Sequence, residues 1–275
     1  MIVVLIYGLN DLATACALRL FRSGFQPVLC APSQKNDLHS LRNFSAVLTG
    51  GKKVIEEVEA MTIAYAQQFY ELSDQSSGEK ICKHVLEDRK ICVIDENEIK
   101  EINAIIHYLI AADNITDSIN QVLSEINSKF IRLSNYSSEL HANYTISAAK
   151  DTLGKVMYPF LSIEEENEKK NNDSENLYCV NAPIEGLFTA DKSVNDLIIE
   201  KEIFGKINDI PILSPVSGKI TGILHSGILL GKKEAIIEID QSKKNDGRII
   251  PFRCFAIAGG VLEAILFDQN LYKDN

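Results

Sequence analysis

The chain has no tryptophan, only three methionines and no cysteine pair with C-x-x-C spacing. It also lacks an apolar run of about twenty residues, so no membrane-spanning helix is predicted. Its 28 basic residues are outnumbered by 38 acidic ones, which gives a formal net charge of −10. Because nucleic acids and anionic lipids are bound by basic surfaces, neither is predicted as a partner. A small molecule or another protein is the expected partner.

The cysteine pattern indicates reduced thiols in a cytoplasmic protein. The six cysteines are Cys16, Cys30, Cys82, Cys92, Cys179 and Cys254. Most lie within apolar runs, where a thiol packs as a small hydrophobic group, and their spacing is not that of a disulfide framework. Cys82 and His84 have the spacing of two metal ligands, but no second pair completes a tetrahedral set, so no metal site is predicted. The short apolar N-terminus lacks the basic start and cleavage site of a signal peptide.

The composition changes most at residues 162–176, SIEEENEKKNNDSEN, which contain one apolar residue in fifteen. Such a segment adds little to a core and indicates a polar acidic linker. The sequence therefore predicts four parts. They are a Rossmann-like α/β domain at 1–160, the linker at 161–177, a duplicated β domain at 178–245 and a C-terminal strand and helix segment at 246–275.

The first part alternates apolar strands with helical patterns, which predicts a parallel sheet. Residues 2–6 are continuously apolar, as in a strand that is covered on both faces. Residues 11–23 have apolar side chains at helical spacing, and Gly24 ends that helix. Further strands are predicted at 27–31, 91–94, 104–110 and 129–133, and further helices at 80–88 and 116–127.

Residues 7–25, YGLNDLATACALRLFRSGF, have the layout of the strand, turn and helix that open a dinucleotide-binding fold. Gly8 takes the place of the first glycine. Asn10 stands where a second glycine lets the backbone approach a pyrophosphate, and no acid follows the second strand to hold a ribose hydroxyl. The sequence thus predicts a preserved turn with weakened NAD(P) binding. Asp11 is expected to cap the helix, with Asn10 as a second candidate. The carboxylate of Asp11 would then repel a phosphate at the helix start. The alternative is that Asp11 faces a ligand.

The β-rich part contains an internal repeat with an offset of 32 residues. Residues 182–209 align without gaps on 214–241, with seven identical pairs in 28. Two half-units, each too small to bury its own face, are expected to pair in one barrel, and the pattern resembles barrel-sandwich hybrids such as biotinyl and lipoyl domains. Those domains carry the cofactor on a lysine between the halves. The corresponding residues 208–213, NDIPIL, contain no lysine, so neither a biotinyl nor a lipoyl group is predicted.

A glycine pair lies within residues 252–266, FRCFAIAGGVLEAIL. If the pair precedes a short apolar helix, its backbone N–H groups are available to an anion. The alternative is close packing of this helix on a neighbour. The candidate cofactor-binding residues are therefore Gly8, Asn10, Asp11, Thr14, Gly259 and Gly260.

No catalytic residue is predicted, because no set of nucleophile, base and orienting residue can be identified from the spacing of residues in the sequence. Asp95 and Asp113 each follow a predicted strand, where ligands gather in α/β folds, and each either faces that crevice or caps a helix. His107 lies within an apolar strand and is interpreted as a buried or strand-end residue rather than a general base.

Three motifs occur in the same order as in one known family. They are G-x-x-D-L-A-T-A at 8–15, A-P-x-x-G and S-P-x-x-G in the repeat, and A-G-G-V-L-E-A-I-L at 258–266. Together they resemble the YqeB-like accessory family of selenium-dependent molybdenum hydroxylase systems, and residues 41–50, LRNFSAVLTG, resemble that family's segment after the second strand. The second glycine and an Arg-Gly-His cluster of the family are missing here, so the chain resembles a divergent member.

The resemblance implies a Rossmann-like domain that binds NAD(P), in a protein that works beside maturation factors for enzymes such as xanthine dehydrogenase. It implies an accessory protein that binds a molybdenum hydroxylase apo-enzyme or a cofactor intermediate, with the hydroxylase or its maturation factors as partners. Two other functions stay open. The strand, turn and helix favour an NAD(P)-binding oxidoreductase. The missing glycine and the missing Arg-Gly-His cluster favour a non-catalytic interaction module.

Overall fold

The structure of the chain is a computed structural model that describes residues 2–32, 36–136, 141–158 and 176–271. The predicted linker lies outside these residues except for its last two. The contacts between residues of the chain divide it into two units. The first comprises residues 1–35, 43–170 and 251–275, and the second comprises 36–42 and 171–250. Neither unit is continuous in sequence.

The first unit is built on a nine-stranded sheet. Its strands are β1 (Val3–Tyr7), β2 (Gln26–Ala31), β3 (Lys52–Ile55), β4 (Val58–Thr62), β5 (Ile91–Asp95), β6 (Ile106–Ala111), β7 (Lys129–Leu133), β8 (Tyr144–Ile146) and β9 (Val156–Met157). They follow the order β3-β4-β5-β2-β1-β6-β7-β8-β9, in which only the edge pairs β3–β4 and β8–β9 are antiparallel. The inner order β5-β2-β1-β6-β7-β8 is that of doubly wound dinucleotide-binding sheets. The expectation of an α/β domain with a parallel sheet is therefore confirmed.

Seven α-helices are present among the described residues. They are α1 (Asp11–Arg22), α2 (Val47–Gly50), α3 (Ile63–Phe69), α4 (Gly78–Glu87), α5 (Ile99–Ile102), α6 (Asp117–Ser124) and α7 (Phe252–Leu271). Helix α1 ends as predicted before Gly24, which has a φ of 89°. The strand predicted at 129–133 has the bounds of β7.

Burial on both faces explains why the central strands are continuously apolar. Every residue of β1 is buried. Leu5 and Tyr7 belong to a core cluster with residues of α4, α5 and α6. Val4 and Ile6 alternate with them and therefore point to the opposite face. Helix α1 contacts β1 and β2, and α7 packs along α1.

The prediction of a strand and a short helix in the C-terminal segment is wrong. Its described residues contain no strand, and α7 passes through Gly259 and Gly260 without a break. The pair lies in the interior of the helix, so its N–H groups bond within the helix and offer no helix start to an anion. The sequence misleads here because glycine is unfavourable inside a helix. A Cβ on Gly260 would collide with the carbonyl oxygen of Gly154, which accounts for the glycine.

A buried carboxylate ties the C-terminal end of α7 to the sheet. Asp268 accepts hydrogen bonds from Lys129 Nζ at 2.6 Å, from Tyr108 Oη at 2.6 Å and from Tyr144 Oη at 2.7 Å. Burial alone would raise the pKa of Asp268, but these three donors outweigh it and lower the pKa below its ordinary value. Since Lys129 and Tyr144 begin β7 and β8, the network lies at the amino ends of the strands.

The second unit contains two four-stranded antiparallel sheets. Its strands are β10 (Leu177–Asn181), β11 (Gly186–Ala190), β12 (Leu197–Ile198), β13 (Ile203–Ile207), β14 (Ile210–Leu213), β15 (Gly218–Ile223), β16 (Ile228–Leu230) and β17 (Ala235–Asp240). One sheet has the order β10-β17-β15-β12 and the other has the order β14-β13-β11-β16. Phe188, Phe204 and Ile220 are fully buried in its core. The expectation of a β-rich C-terminal part is confirmed.

The short segment Asn36–Arg42 belongs to the second unit and lies against β15. The N–H of Ile223 donates to the carbonyl oxygen of Leu38 at 3.0 Å, and His39 Nε2 lies 3.1 Å from Glu238 Oε1. Gly222 makes room for this segment, since a Cβ there would lie 2.8 Å from the His39 ring. No feature of the sequence indicated this placement.

Two neighbouring glycines of α7 allow a matched test of its packing. We expect Gly260→Ala to lower the free energy of unfolding by about 2 kcal/mol, because the added methyl group has no space beside Gly154. At Gly259 no atom lies within 4 Å of the place that a methyl group would take, so Gly259→Ala should raise stability by up to about 1 kcal/mol through helix propensity. Urea unfolding of both variants measures the difference. Equal effects would contradict the close packing of α7.

Candidate functional site at the first turn

The turn after β1 brings the loops that follow β1 and β6 close together. Gly8 has a φ of 131°, and a Cβ there would lie 3.3 Å from the backbone of Ala112. The N–H of Gly8 donates to Cys30 O at 2.9 Å, and the N–H of Ala112 donates to Tyr7 O at 2.9 Å. Both the backbone angle and the close approach therefore require a glycine at this position.

Asn10 is the N-cap of α1. Its Oδ1 accepts a hydrogen bond from the N–H of Ala13 at 3.0 Å, and its Nδ2 donates to the carbonyl oxygen of Ala112 at 2.7 Å. The side chain thus lies between the start of α1 and the loop after β6. In folds with this strand order the pyrophosphate of a dinucleotide binds there. The expectation that Asp11 is the principal cap is wrong, because Asp11 is already the first residue of the helix.

Asp11 and Thr14 lie three residues apart on one side of α1, and both bind the turn that follows Arg42 in sequence. Asp11 Oδ1 accepts a hydrogen bond from Asn43 Nδ2 at 3.2 Å, and Thr14 Oγ1 accepts one from the N–H of Phe44 at 3.1 Å. Asn43 Oδ1 in turn accepts the N–H of Ser45 at 3.1 Å. The D-L-A-T motif is therefore accounted for by a contact within the protein.

Carboxylates lie along the carboxyl edge of the sheet beside β1. Tyr7 Oη donates to Glu96 Oε1 at 2.5 Å. Burial raises the pKa of Tyr7, and the hydrogen bond and charge of Glu96 and the charge of Asp113 raise it further. Burial also raises the pKa of the Cys30 thiol, and the charges of Glu96 and Asp95 add to that rise. A negative field at this edge opposes a pyrophosphate group.

The two aspartates predicted at strand ends have different positions. Asp95 caps the short turn Glu96–Glu98, and its N–H donates to Glu98 Oε2 at 2.7 Å. Asp113 lies beside Gly8, at the loop that Asn10 reaches. Burial and then the charge of Asp113 raise the pKa of Tyr136 to about 12. The capping alternative therefore describes Asp95, and the crevice alternative for Asp113 stays a prediction.

The remaining sequence candidates lie away from this edge. His107 is exposed near the amino end of β6, where its Nδ1 accepts the N–H of Val3 at 3.3 Å. Cys82 is buried on α4, whereas the ring of His84 meets the edge of Tyr70 at a centroid distance of 6.0 Å. In the described parts of the chain, no group of three or more His, Cys, Asp or Glu residues is arranged to hold a metal ion. No described helix combines the length and the apolarity needed to cross a membrane.

Sequence reasoning missed three residues of this region: Asn43, Glu96 and Tyr136. Asn43 could have been found from the sequence, since it lies in the stretch LRNFSAVLTG, which resembles the family's segment after the second strand. Glu96 and Tyr136 had none, because their contacts join residues 89 and 126 positions apart in the chain. Such contacts are set by the strand order rather than by any local pattern.

Comparison with known sequences shows a distant likeness to a bacterial protein. No protein-family model matches the chain. The chain is 22% identical over 271 residues to a protein of Escherichia coli (strain K12) described as "Uncharacterized protein YqeB". The alignment covers 96% of this chain and 47% of that protein, so the chain spans about half the length of the curated relative it matches. This likeness agrees with the YqeB-like resemblance of the motifs and says nothing about molybdenum or selenium.

Two solved structures align with the chain at low similarity. An aspartoacylase family protein from Mesorhizobium loti has 10% identity and a TM-score of 0.25, with 87% of this chain and 85% of that chain covered. The ectoine utilization protein EutE (DoeB) from Ruegeria pomeroyi has 10% identity and a TM-score of 0.19, with coverages of 86% and 52%. Scores this low do not establish a shared fold, and no function is drawn from either protein.

Substitutions at Asn10 separate its two hydrogen bonds. Asn10→Ser keeps a favoured capping oxygen but is too short to reach Ala112, so we expect a loss of about 1 kcal/mol in the free energy of unfolding. Asn10→Ala also removes the cap, which should cost about 1 kcal/mol more. Denaturant unfolding of the three proteins measures both steps. A serine variant as stable as the wild type would show that the bond to Ala112 contributes nothing.

Proposed function

We propose that this chain is an accessory protein for a molybdenum-dependent hydroxylase and that it acts by binding a partner rather than by nucleotide-dependent redox chemistry. The partner is the apo-enzyme or an intermediate of its cofactor. The order of the motifs, and the family resemblance that they carry, support the choice of pathway; the likeness to YqeB agrees with that resemblance without bearing on the pathway itself. The position of the Asn10 side chain carries the proposed mode of action.

The Asn10 side chain is the main argument against dinucleotide chemistry. It takes one N–H group at the start of α1 and reaches across to Ala112, where a pyrophosphate would have to lie. The carboxylates of Glu96 and Asp113 along the same edge add electrostatic repulsion. These two effects favour a protein that keeps the fold of a nucleotide-binding domain and uses it as a scaffold.

We further propose that the second unit is a duplicated barrel-sandwich hybrid. Strands β10 to β13 correspond to β14 to β17 at the offset of 32 residues; β11 begins at Gly186 and β15 at Gly218. Lys201 and Lys233, which the offset relates, both have a left-handed backbone, with φ of 68° and 72°. Each sheet contains strands from both halves of the repeat.

Reciprocal hydrogen bonds between the halves support the same proposal. The N–H of Asn195 donates to Ile220 O at 2.8 Å, and the N–H of Gly227 donates to Phe188 O at 2.8 Å. Asn195 and Gly227 are related by the offset of 32, as are Phe188 and Ile220, so the two bonds are equivalent in the repeat. Two halves that exchange equivalent bonds are what a duplicated unit with internal twofold pseudosymmetry predicts.

The connection between the halves favours a rigid module over a cofactor carrier. Asn208 and Asp209, with φ of 48° and 67°, form a hairpin turn. It is shorter than the six-residue connection expected, because Ile210–Leu213 is strand β14. Asn208 Oδ1 accepts the N–H of Leu187 at 2.8 Å, and its Nδ2 donates to Glu185 O at 3.3 Å. A fixed turn without lysine suits partner binding rather than a swinging arm.

Calorimetric titration with NAD(P) and NAD(P)H tests whether the turn after β1 excludes a dinucleotide. We expect no saturable heat from the wild type at millimolar concentrations, since the cap and the acidic edge both oppose the ligand. Asn10→Gly removes only the first obstacle, so any binding it gains should stay weaker than about 1 mM. Asn114→Gly is the control, because it makes the same change at an exposed position of the loop after β6. Saturable binding by the wild type would contradict the proposal and support an NAD(P)-binding oxidoreductase.

The partner is tested by producing a molybdenum hydroxylase with and without the full chain. We expect the hydroxylase to co-purify with the tagged chain and to have a higher molybdenum content and a higher active fraction when the chain is present. Asn10→Gly should support maturation as well as the wild type does, because no nucleotide is required. Unchanged molybdenum content together with no co-purification would exclude this function.

A further inference from the structure

The Nε atom of Arg132, in strand β7, is buried and has no hydrogen-bond partner among the described residues, although the residue as a whole is partly exposed. Within the described part of the chain Arg132 forms no salt bridge. A buried N–H donor without a partner lowers the stability of the fold, and a bound anion that accepts its hydrogen bond would offset that cost.

The strand register places Arg132 in line with the residues of the candidate site. Tyr7 of β1 pairs with Ala111 of β6, and Ala111 pairs with Arg132. Paired residues of parallel strands point to the same face of a sheet, so these three side chains share one row. At two strand spacings, the backbones of Tyr7 and Arg132 lie about 10 Å apart, and Ala111, which has only a methyl side chain, is the residue between them in the row.

We propose that Arg132 anchors a binding site for the carboxylate of a small organic ligand, at the carboxyl edge of β6 and β7. Ligands of doubly wound sheets bind outside this edge, and the planar fork of a guanidinium matches a carboxylate in two hydrogen bonds. The site lies to one side of the turn that Asn10 closes, so the cap does not block it. It is independent of the proposed role toward a hydroxylase.

The charges along the edge select among anions. Glu96 and Asp113 act on Tyr7, which stands in the same row as Arg132. A ligand group with a single negative charge is attracted by Arg132 and repelled by these two acids. Both effects double for a phosphate with two charges, whereas the cost of taking the ion out of water rises with the square of its charge, so a carboxylate is favoured over a phosphate.

Nuclear magnetic resonance of the Arg132 Nε–H group tests the site directly in the full chain. Titration with sodium acetate, at constant ionic strength set by sodium chloride, should shift this signal saturably in the millimolar range. Inorganic phosphate at pH 8 should bind more weakly. Arg132→Gln, whose missing signal also gives the assignment, should reduce acetate binding about 10- to 100-fold as followed on backbone amides of β6 and β7. Lys100→Gln, which removes an exposed charge from the same unit, should leave acetate binding unchanged.

Each contrary result counts against one part of the proposal. A signal that does not move with acetate, or acetate binding that survives in Arg132→Gln, overturns the site. Phosphate that binds more tightly than acetate overturns the choice of a singly charged group. Unfolding of Arg132→Met without added anion is the second check, since replacing an unpartnered charge should be neutral or stabilising. A marked loss of stability would reveal an internal partner and overturn the site as well.

Discussion

The geometry of the first turn depends on the side-chain amide of Asn10. An asparagine amide accepts and donates at the same time, and here the acceptor caps α1 while the donor holds the loop at Ala112. Glycine, the residue that dinucleotide folds use at this position, has neither group and leaves the helix start to a phosphate. The same strand order therefore supports a turn that satisfies its own polar groups. A pyrophosphate would have to displace both bonds before it made any of its own.

The charges at the carboxyl edge act in the same direction as the cap but through a different force. The cap blocks the approach sterically, whereas Glu96 and Asp113 raise the electrostatic cost of any dianion that arrives. Because the two obstacles are independent, removal of one leaves the other in place. The edge is not closed to every anion, however. Arg132 lies in the same row and supplies the positive charge that a singly charged ligand needs.

Local patterns predicted the five central strands of the large sheet and the helices α1, α4 and α6, but they predicted the edge strands and the tertiary contacts poorly. A continuous apolar run indicated β1, since both faces of the sheet are covered there. The helix start was placed correctly, but its cap was assigned first to Asp11, because Asn and Asp have similar capping preferences and only their position decides. The glycine pair of α7 led to a wrong prediction for a different reason. Its place inside a helix is set by contact with Gly154, a residue more than one hundred positions away, which overrides propensity.

The D-L-A-T motif has a structural reason that does not involve a nucleotide. The chain leaves the first unit after β2, contributes the segment Asn36–Arg42 to the second unit and returns at Asn43. Asp11 and Thr14 bind the chain at that return, through Asn43 and the N–H of Phe44. Loss of nucleotide binding would therefore leave the requirement for these two residues intact. The motif is evidence for the fold and its chain path, and the residue that bears on nucleotide binding is Asn10, two positions after Gly8.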